Sequence, residues 1–411
     1  MNTIETEILV VGAGAAGLAA AAAFSTEGFD VVCVDPAPPP ASLDDPSSDL
    51  RSTAILMPSV QLLERAGLWT GLAPEAAPLR VMRLADAGGP EPRVREIADF
   101  EANELSEAVF GYNLPNWSLR AEMLKTLEAT GSAHLLMGVR LERMTLRSRE
   151  AITFLSDGTK IRARLVIGAD GRDSAVREMA GISARRWSYG QKAVVFAVSH
   201  PDPHNDISTE IHRSGGPFTL VPLKPRDGVP HSAVVWMDHG PEAVALAAME
   251  PEEFNAALNA RACGVLSPLW LASPRRVWPI ISQVAAHLDA PRTALIAEAA
   301  HVVPPIGAQG LNMSLRDVAV LRDLCVEARA GGKDIGDREL LRHYHLKRHP
   351  DILTRVAGVD ALNRAAIQNL QVFRDLRLTG LRAIHGIQPV RRTAMQLGLG
   401  VRAQGPKEEA A

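Results

Sequence analysis

The sequence predicts an α/β fold: a Rossmann-like nucleotide-binding domain interrupted by an inserted, mostly antiparallel β-sheet domain and followed by a C-terminal helical region. Three observations predict it. Over residues 5–35 a strand, a GxGxxG turn, a helix, a second strand and an acid follow one another at the spacing of a dinucleotide-binding unit. Two later apolar strands, one ending in Asp170-Gly171 and one leading through Pro304, Pro305, Gly307 and Gly310 into a helix, repeat the strand-then-loop pattern of an open parallel sheet. Between them, residues 183–285 read as strands separated by Pro/Gly loops, so the chain leaves the first domain and returns to it.

With 411 residues the chain is long enough for two domains. Its 46% apolar and 22% charged content, with a formal net charge of −3, is that of a globular protein and excludes nucleic acid as a partner on charge. Cys33, Cys263 and Cys325 are widely separated, fit no metal spacing and read as small buried hydrophobes in a reducing compartment. The apolar run Ile8 to Phe24 follows two acids and contains three glycines, which is strand, turn and helix rather than a leader or a span. The expected location is therefore cytoplasmic, with membrane contact made only at the surface.

Taken in order, Ile8 to Val11 form a buried strand, and Gly12, Gly14 and Gly17 supply the tight turn, the approach to a pyrophosphate and the close helix packing. An Ala-rich helix runs to about Glu27, and a second strand from Val31 ends at Asp35, whose carboxylate suits ribose hydroxyls. The connection Pro36 to Asp49 is too rich in breakers for a regular element. After Arg51, Ser59 or a neighbour caps a helix carrying Val60, Leu62, Leu63 and Ala66 that Gly67 closes. Residues 79–100 alternate as strands of a separate sheet, and a helix beginning near Asn116 carries Arg120 in its first turns. Each of these arginines is either a surface charge or a reach toward phosphates. Asp157-Gly158 marks a hairpin, and the strand ending at Ile167 delivers Asp170 and Gly171 to a sheet's carboxyl edge.

Ala294 to Ala297 read as a buried strand, with Glu298 at its exit. The following helix starts at about Gly310 to Asn312, with Leu311, Leu315, Val318, Ala319 and Leu321 inward and Arg316, Asp317, Arg322 and Asp323 outward. Its first N–H groups lie open behind the Pro/Gly turn, which favours a phosphate or the electron-rich edge of a flavin. From Asp360 the helical tail carries Arg364, Arg374, Arg377, Arg382, Arg391 and Arg392 against Asp375, which suits either a solvated face or an anionic surface.

The order GxGxxG with Asp35, then GADGRDSAVR, then AEAAHVVPPIGAQGLNMSLRD resembles the single-component aromatic flavin monooxygenases, the para-hydroxybenzoate hydroxylase fold group, across most of the chain. YGQKAVV, GGPFTLVPL and PPIGAQGLN look most like the ubiquinone-biosynthesis hydroxylases (UbiH-type) within it. The resemblance implies an FAD-binding domain (1–78, 101–182 and 286–335), a substrate domain (79–100 and 183–285) and C-terminal helices (336–411). It implies FAD held by Gly12, Gly14 and Gly17 at the pyrophosphate and Asp35 at the adenosine ribose. Arg51 and Arg120 would match the family's flavin-contacting arginines, Asp170 and Gly171 its cofactor-binding Asp-Gly motif, and Pro305, Gly307, Gly310, Leu311 and Asn312 would form the loop under the ring. Where most relatives have Gly-Asp, this chain has Ala297-Glu298, so the ribityl contact falls to Glu298, one methylene longer.

The activity so implied is hydroxylation of a polyprenylated phenol or quinol in ubiquinone biosynthesis through a flavin C4a-hydroperoxide, which asks side chains for orientation and water exclusion rather than covalent work. No catalytic base and no metal cluster stand out, and His301 reads as structural. There is no second GxGxxG, so electrons come from transiently bound NAD(P)H or a protein donor. The tail would dock on a membrane or on other ubiquinone-biosynthesis proteins; the oligomeric state is left open. The alternatives are a hydroxylase of a small soluble phenol and a flavin-bearing scaffold subunit.

Overall fold

A computed structural model describes residues 3–38, 45, 48–89, 91–213, 215–367, 382 and 385–399. Arg374, Asp375 and Arg377 of the tail, and much of the 36–49 connection, lie outside the described residues.

An eight-stranded sheet carries the nucleotide-binding pattern, in the order Asp289–Ala290, Thr293–Leu295, Lys160–Gly168, Thr3–Val11, Val31–Asp35, His134–Met137. The hairpin partners Leu141–Leu146 and Ala151–Leu155 hang from Lys160–Gly168, across the turn that Asp157-Gly158 predicts. From Thr293–Leu295 to His134–Met137 the pairs are parallel, and Val11 lies in register with both Val34 and Gly168. The chain therefore starts mid-sheet and builds outward both ways, which places a switch point at the carboxyl ends of these strands. Gly12, Asp35 and Asp170 all emerge there.

Two glycines make the turn possible. A Cβ on Gly12 (φ +106°) would lie 2.4 Å from Ala169 O, and one on Gly17 would lie 1.8 Å from Gly12 O. The helix Ala15–Ser25 is buried from Ala16 to Phe24, and its run of alanines lets it lie close between the sheet and the late helix Gln309–Ala330.

The second sheet has nine strands, in the order His301–Val302, Arg276–Ala285, Ala184–Ser199, Val229–His239, Pro217–Arg226, Ile207–His212, Val81–Asp86, Glu96–Glu101, with Trp270–Leu271 beside Ala184–Ser199. All its described pairs are antiparallel except Ile207–His212 with Val81–Asp86. Its strands alternate. Val194 and Phe196 face a core closed by Phe254 and Leu258 of the helix Pro251–Ala262, while Ala193 and Val195 face Ile306 and Val359. A three-stranded sheet of Ser52–Leu56, Gly111–Pro115 and Ala77–Leu79 lies between the two, and the sequence pattern did not announce it.

Several local expectations shift. The helix after Arg51 starts at Met57, with Pro58 in its first turn, so Ser59 is inside it rather than capping it. The strand at 293 stops at Leu295, because Ala297 turns left-handed (φ +57°) into one helical turn, Ala297–Ala300. The late helix begins at Gln309. Cys263 is half-exposed at the end of its helix, not buried.

The C-terminal helix Arg338–Ile367 packs along the sheet edge, and Gln388–Leu399 forms a last helix. Among the tail arginines, Arg364 pairs with Asp360, Arg382 with Glu96, and Arg391 with Glu104, so these charges are drawn onto the protein's own carboxylates. No described helix is long and apolar enough to cross a membrane.

Candidate functional site

A cleft of about 810 Å³ opens at the carboxyl ends of the parallel strands and continues beneath the second sheet. That volume is in the range that encloses a small molecule or cofactor. Gly12, Gly14, Gly17, Asp35, Arg51, Arg120, Asp170, Gly171, Glu298, Pro305, Gly307, Gly310 and Leu311 all line it. The early glycine turn and the late Pro/Gly loop thus share one continuous space.

At the first end, Gly14 precedes the helix Ala15–Ser25 in extended conformation, and no side chain caps that helix. A Cβ built on Gly14 meets nothing within 4 Å, so the space over the first N–H groups is open. Backbone donors and the positive end of a buried helix converge on it. Asp35 accepts from Ala13 N at 2.6 Å and Ala37 N at 2.9 Å and pairs with Arg120 at 3.3 Å. Arg120 in turn donates through Nε to Ala13 O at 2.7 Å and through Nη2 to Ala37 O at 2.8 Å. Its fork thus clamps the glycine turn to the segment after Asp35, and the carboxylate keeps acceptor capacity for a further donor. Beside it the Cys33 thiol is pushed up to about 12, by burial first and the Asp35 charge second, so it is inert.

At the middle, Arg51 forms a bidentate pair with Asp49 (2.7 to 3.0 Å) and lies 4.3 Å above the Trp278 ring. Burial opposes both charges, yet the pair keeps Asp49 below its usual range and Arg51 above its own. Asp170 accepts from Ser174 Oγ at 2.5 Å and Val176 N at 3.0 Å, which caps the short helix Ala175–Met179. Burial raises its pKa against those bonds. Arg177 braces the opposite lip by donating to Ala299 O and Arg172 O, both at 2.9 Å, and Glu298 faces Arg172 at 3.4 Å.

At the far end, Gly307 (φ +64°) and Ala308 (φ +54°) are both left-handed, and the helix Gln309–Ala330 has no side-chain cap. Left-handed backbone costs a non-glycine residue roughly 1–2 kcal/mol, so Ala297 and Ala308 store strain on two sides of the cleft. Asn312 is not among the lining residues; its amide accepts from Leu56 N at 2.9 Å and donates to Ala54 O at 2.7 Å, which ties the helix to the three-stranded sheet.

The outward position read for Asp317 and Arg322 is wrong: both are buried. Asp317 accepts from His301 Nε2 at 2.7 Å, Arg348 Nε at 2.8 Å and Ala297 N at 3.2 Å. Partners from distant segments compensate a charge that periodicity alone would turn to solvent. His301 also lines the cleft, and with Nε2 bonded to Asp317 its remaining polar atom is Nδ1.

Sequence reasoning missed the wall formed by the second sheet. Met82, Leu84, Val221 and Val235 supply its apolar surface, with Arg83, Ser208, Glu210 and Thr219 among them. Their signal was the alternation of 79–100 and of GGPFTLVPL, which fixes a facing set only once strand order is known.

Compared with known proteins, residues 5–357 match the sequence model of a family described as "FAD binding domain". A ubiquinone hydroxylase of Rhodospirillum rubrum, UbiL, is 34% identical over 98% of this chain and 91% of its own. The 3-demethoxyubiquinol 3-hydroxylase of Escherichia coli is 29% identical over 98% of this chain and all (100%) of its own. The crystal structure of p-nitrophenol 4-monooxygenase PnpA from Pseudomonas putida superposes with a TM-score of 0.78 at 18% identity, over 98% of this chain and 100% of that one, which shows a shared fold.

Proposed function

The chain belongs to the FAD-binding-domain family of flavin-dependent hydroxylases and is a FAD-dependent monooxygenase, and on that premise we propose that it hydroxylates the ring of a polyprenylated phenol or quinol on the way to ubiquinone. The observation that carries the reading is the single cleft that joins the glycine turn, the late Pro/Gly loop and the wall of the second sheet.

The residues present fit FAD. The open space over Gly14 and two uncapped helix starts suit an elongated anionic group. Gly12, Gly14 and Gly17 would hold the pyrophosphate, Asp35 the ribose, and Glu298 the ribityl chain. Arg120, bonded to Ala13 O, Ala37 O and Asp35, would hold the glycine-turn end of the cofactor, Arg51, Asp170 and Gly171 would line its middle, and Pro305, Gly307, Gly310 and Leu311 would serve the ring, with Asn312 holding that loop's helix in place. When bound, the flavin supplies the redox and oxygen chemistry that side chains lack.

The chain's own work is then binding, orientation and exclusion of water. We assign residues 1–78, 101–182 and 286–335 to the cofactor and 79–100 with 183–285 to the substrate. Met82, Leu84, Val221 and Val235 present an apolar wall to the ring and its tail. Arg83, the cation on that wall, is held in two bonds of 2.7 Å by Asp99, which offsets its charge. His301, its Nε2 held by Asp317, is fixed in orientation beside the cleft. Electrons would come from NAD(P)H or a protein donor. Exposed Leu346 and Leu353, two turns apart on one face of the C-terminal helix, suit contact with a membrane surface that carries a prenyl substrate.

Deleting the gene tests the reading. The expected result is accumulation of a prenylated phenol short of at least one hydroxyl; unchanged quinone and intermediate levels contradict it.

A further inference from the structure

Away from the cleft, three segments meet at the edge of the parallel sheet. The long strand Arg276–Ala285 leaves the second sheet through His287, the edge strand Asp289–Ala290 follows at once, and the C-terminal helix Arg338–Ile367 crosses them with His345. One ligand-type atom from each of His287, Asp289 and His345 lies within 4.8 Å of the others. None of the three lines the cleft.

Two features mark this cluster off from incidental neighbours. Asp289 Oδ1 is buried yet accepts no hydrogen bond, an expensive state for a carboxylate oxygen. Its nearest ionisable neighbour is His345 Nδ1, at 3.7 Å, too far for a direct bond. The imidazoles are also held in order. His345 stacks on His287 at 5.2 Å and on His349 at 4.6 Å, and His349 is tied back to Ala285 O at 3.1 Å.

We propose that His287, Asp289 and His345 bind a divalent transition metal of the zinc class. Two imidazoles and one carboxylate form a three-ligand set typical of zinc, and exposed His287 leaves the fourth position to water. Zn–N and Zn–O bonds of about 2.0–2.2 Å put tetrahedral ligand atoms roughly 3.4 Å apart, so the widest pair closes by about 1.4 Å or less. Coordination through His345 Nδ1 takes the acceptor from the buried Leu288 N–H (3.2 Å), a cost the metal bonds must exceed, and gives Asp289 Oδ1 the partner it lacks. Such an ion fastens the C-terminal helix to the cofactor-binding sheet. Spacing along the chain could not show it, since His345 lies far from the other two.

Untagged holoenzyme, stripped of metal by a chelator, is titrated with zinc chloride against a chromophoric competitor, and with cobalt(II) chloride followed by visible absorption. The expected result is one equivalent bound at micromolar or tighter dissociation constant, with a rise in the thermal midpoint. His287→Ala, at an exposed position, and Asp289→Asn should each weaken binding at least tenfold and abolish the midpoint shift, with FAD content unchanged. Absence of saturable binding, or equal binding by both variants, overturns the proposal.

Discussion

His301 Nε2 lies 2.7 Å from Asp317 Oδ2, and this buried pair ties the loop beside the cleft to the late helix and, through Arg348, to the C-terminal helix. Burial alone would raise the Asp317 pKa, but His301 and Arg348 hold it below its ordinary 3.8. A carboxylate with a depressed folded-state pKa adds stability above its unfolded pKa and loses it as pH falls through the folded one. Wild-type stability should therefore decline on the acid side below about pH 4. Asp317→Asn takes from Arg348 one of its two carboxylate partners, leaving Asp351, and should cost roughly 1.5–3 kcal/mol at neutral pH in urea unfolding, with a flatter acid limb. An unchanged acid limb would remove Asp317 from this role.

Gly14 and Gly17 should separate binding from folding. Gly17→Ala drives a methyl into Gly12 O and should destabilise even the apoprotein, by about 1–3 kcal/mol or more. Gly14→Ala meets no protein atom and has ordinary backbone angles (φ −69°), so the apoprotein should melt normally while FAD binds more weakly. Thermal melts of apoprotein and quenching of free-flavin fluorescence distinguish the two.

Arg120 acts through its fork. Arg120→Ala and Arg120→Lys should both weaken FAD at least about tenfold (~1.4 kcal/mol), because an ammonium cannot span Ala13 O, Ala37 O and Asp35 together. Full affinity in the Lys variant would mean that charge alone suffices.

Ala308 tests the stored strain. It is half-exposed and left-handed, so Ala308→Gly relieves roughly 1–2 kcal/mol of strain against about 0.5–1 kcal/mol of added chain entropy. A net gain on the order of 0.5–1 kcal/mol is expected in chemical denaturation. A loss would show that the loop is not strained there.

The cleft's two ends were legible because each is written in consecutive residues. Gly12 to Gly17 with Asp35, and Pro304 to Gly310 before a helix, encode a turn and the element it feeds in one short window. What the sequence hid depends on partners brought together only by folding. Asp317 sits where helix periodicity points outward, and its burial follows from His301 and Arg348. Met82 and Val235 face the same space from strands far apart in the chain, which no local pattern reveals. Ala297 looked like an extension of its strand, but its left-handed backbone ends that strand two residues earlier.

The most direct test of the central claim is oxygen transfer. Purified protein, loaded with FAD and given a reductant and a prenylated phenol under ¹⁸O₂, should yield a product carrying one ¹⁸O atom in each new ring hydroxyl. Reductant consumption with no labelled product, or label drawn only from water, would contradict the account.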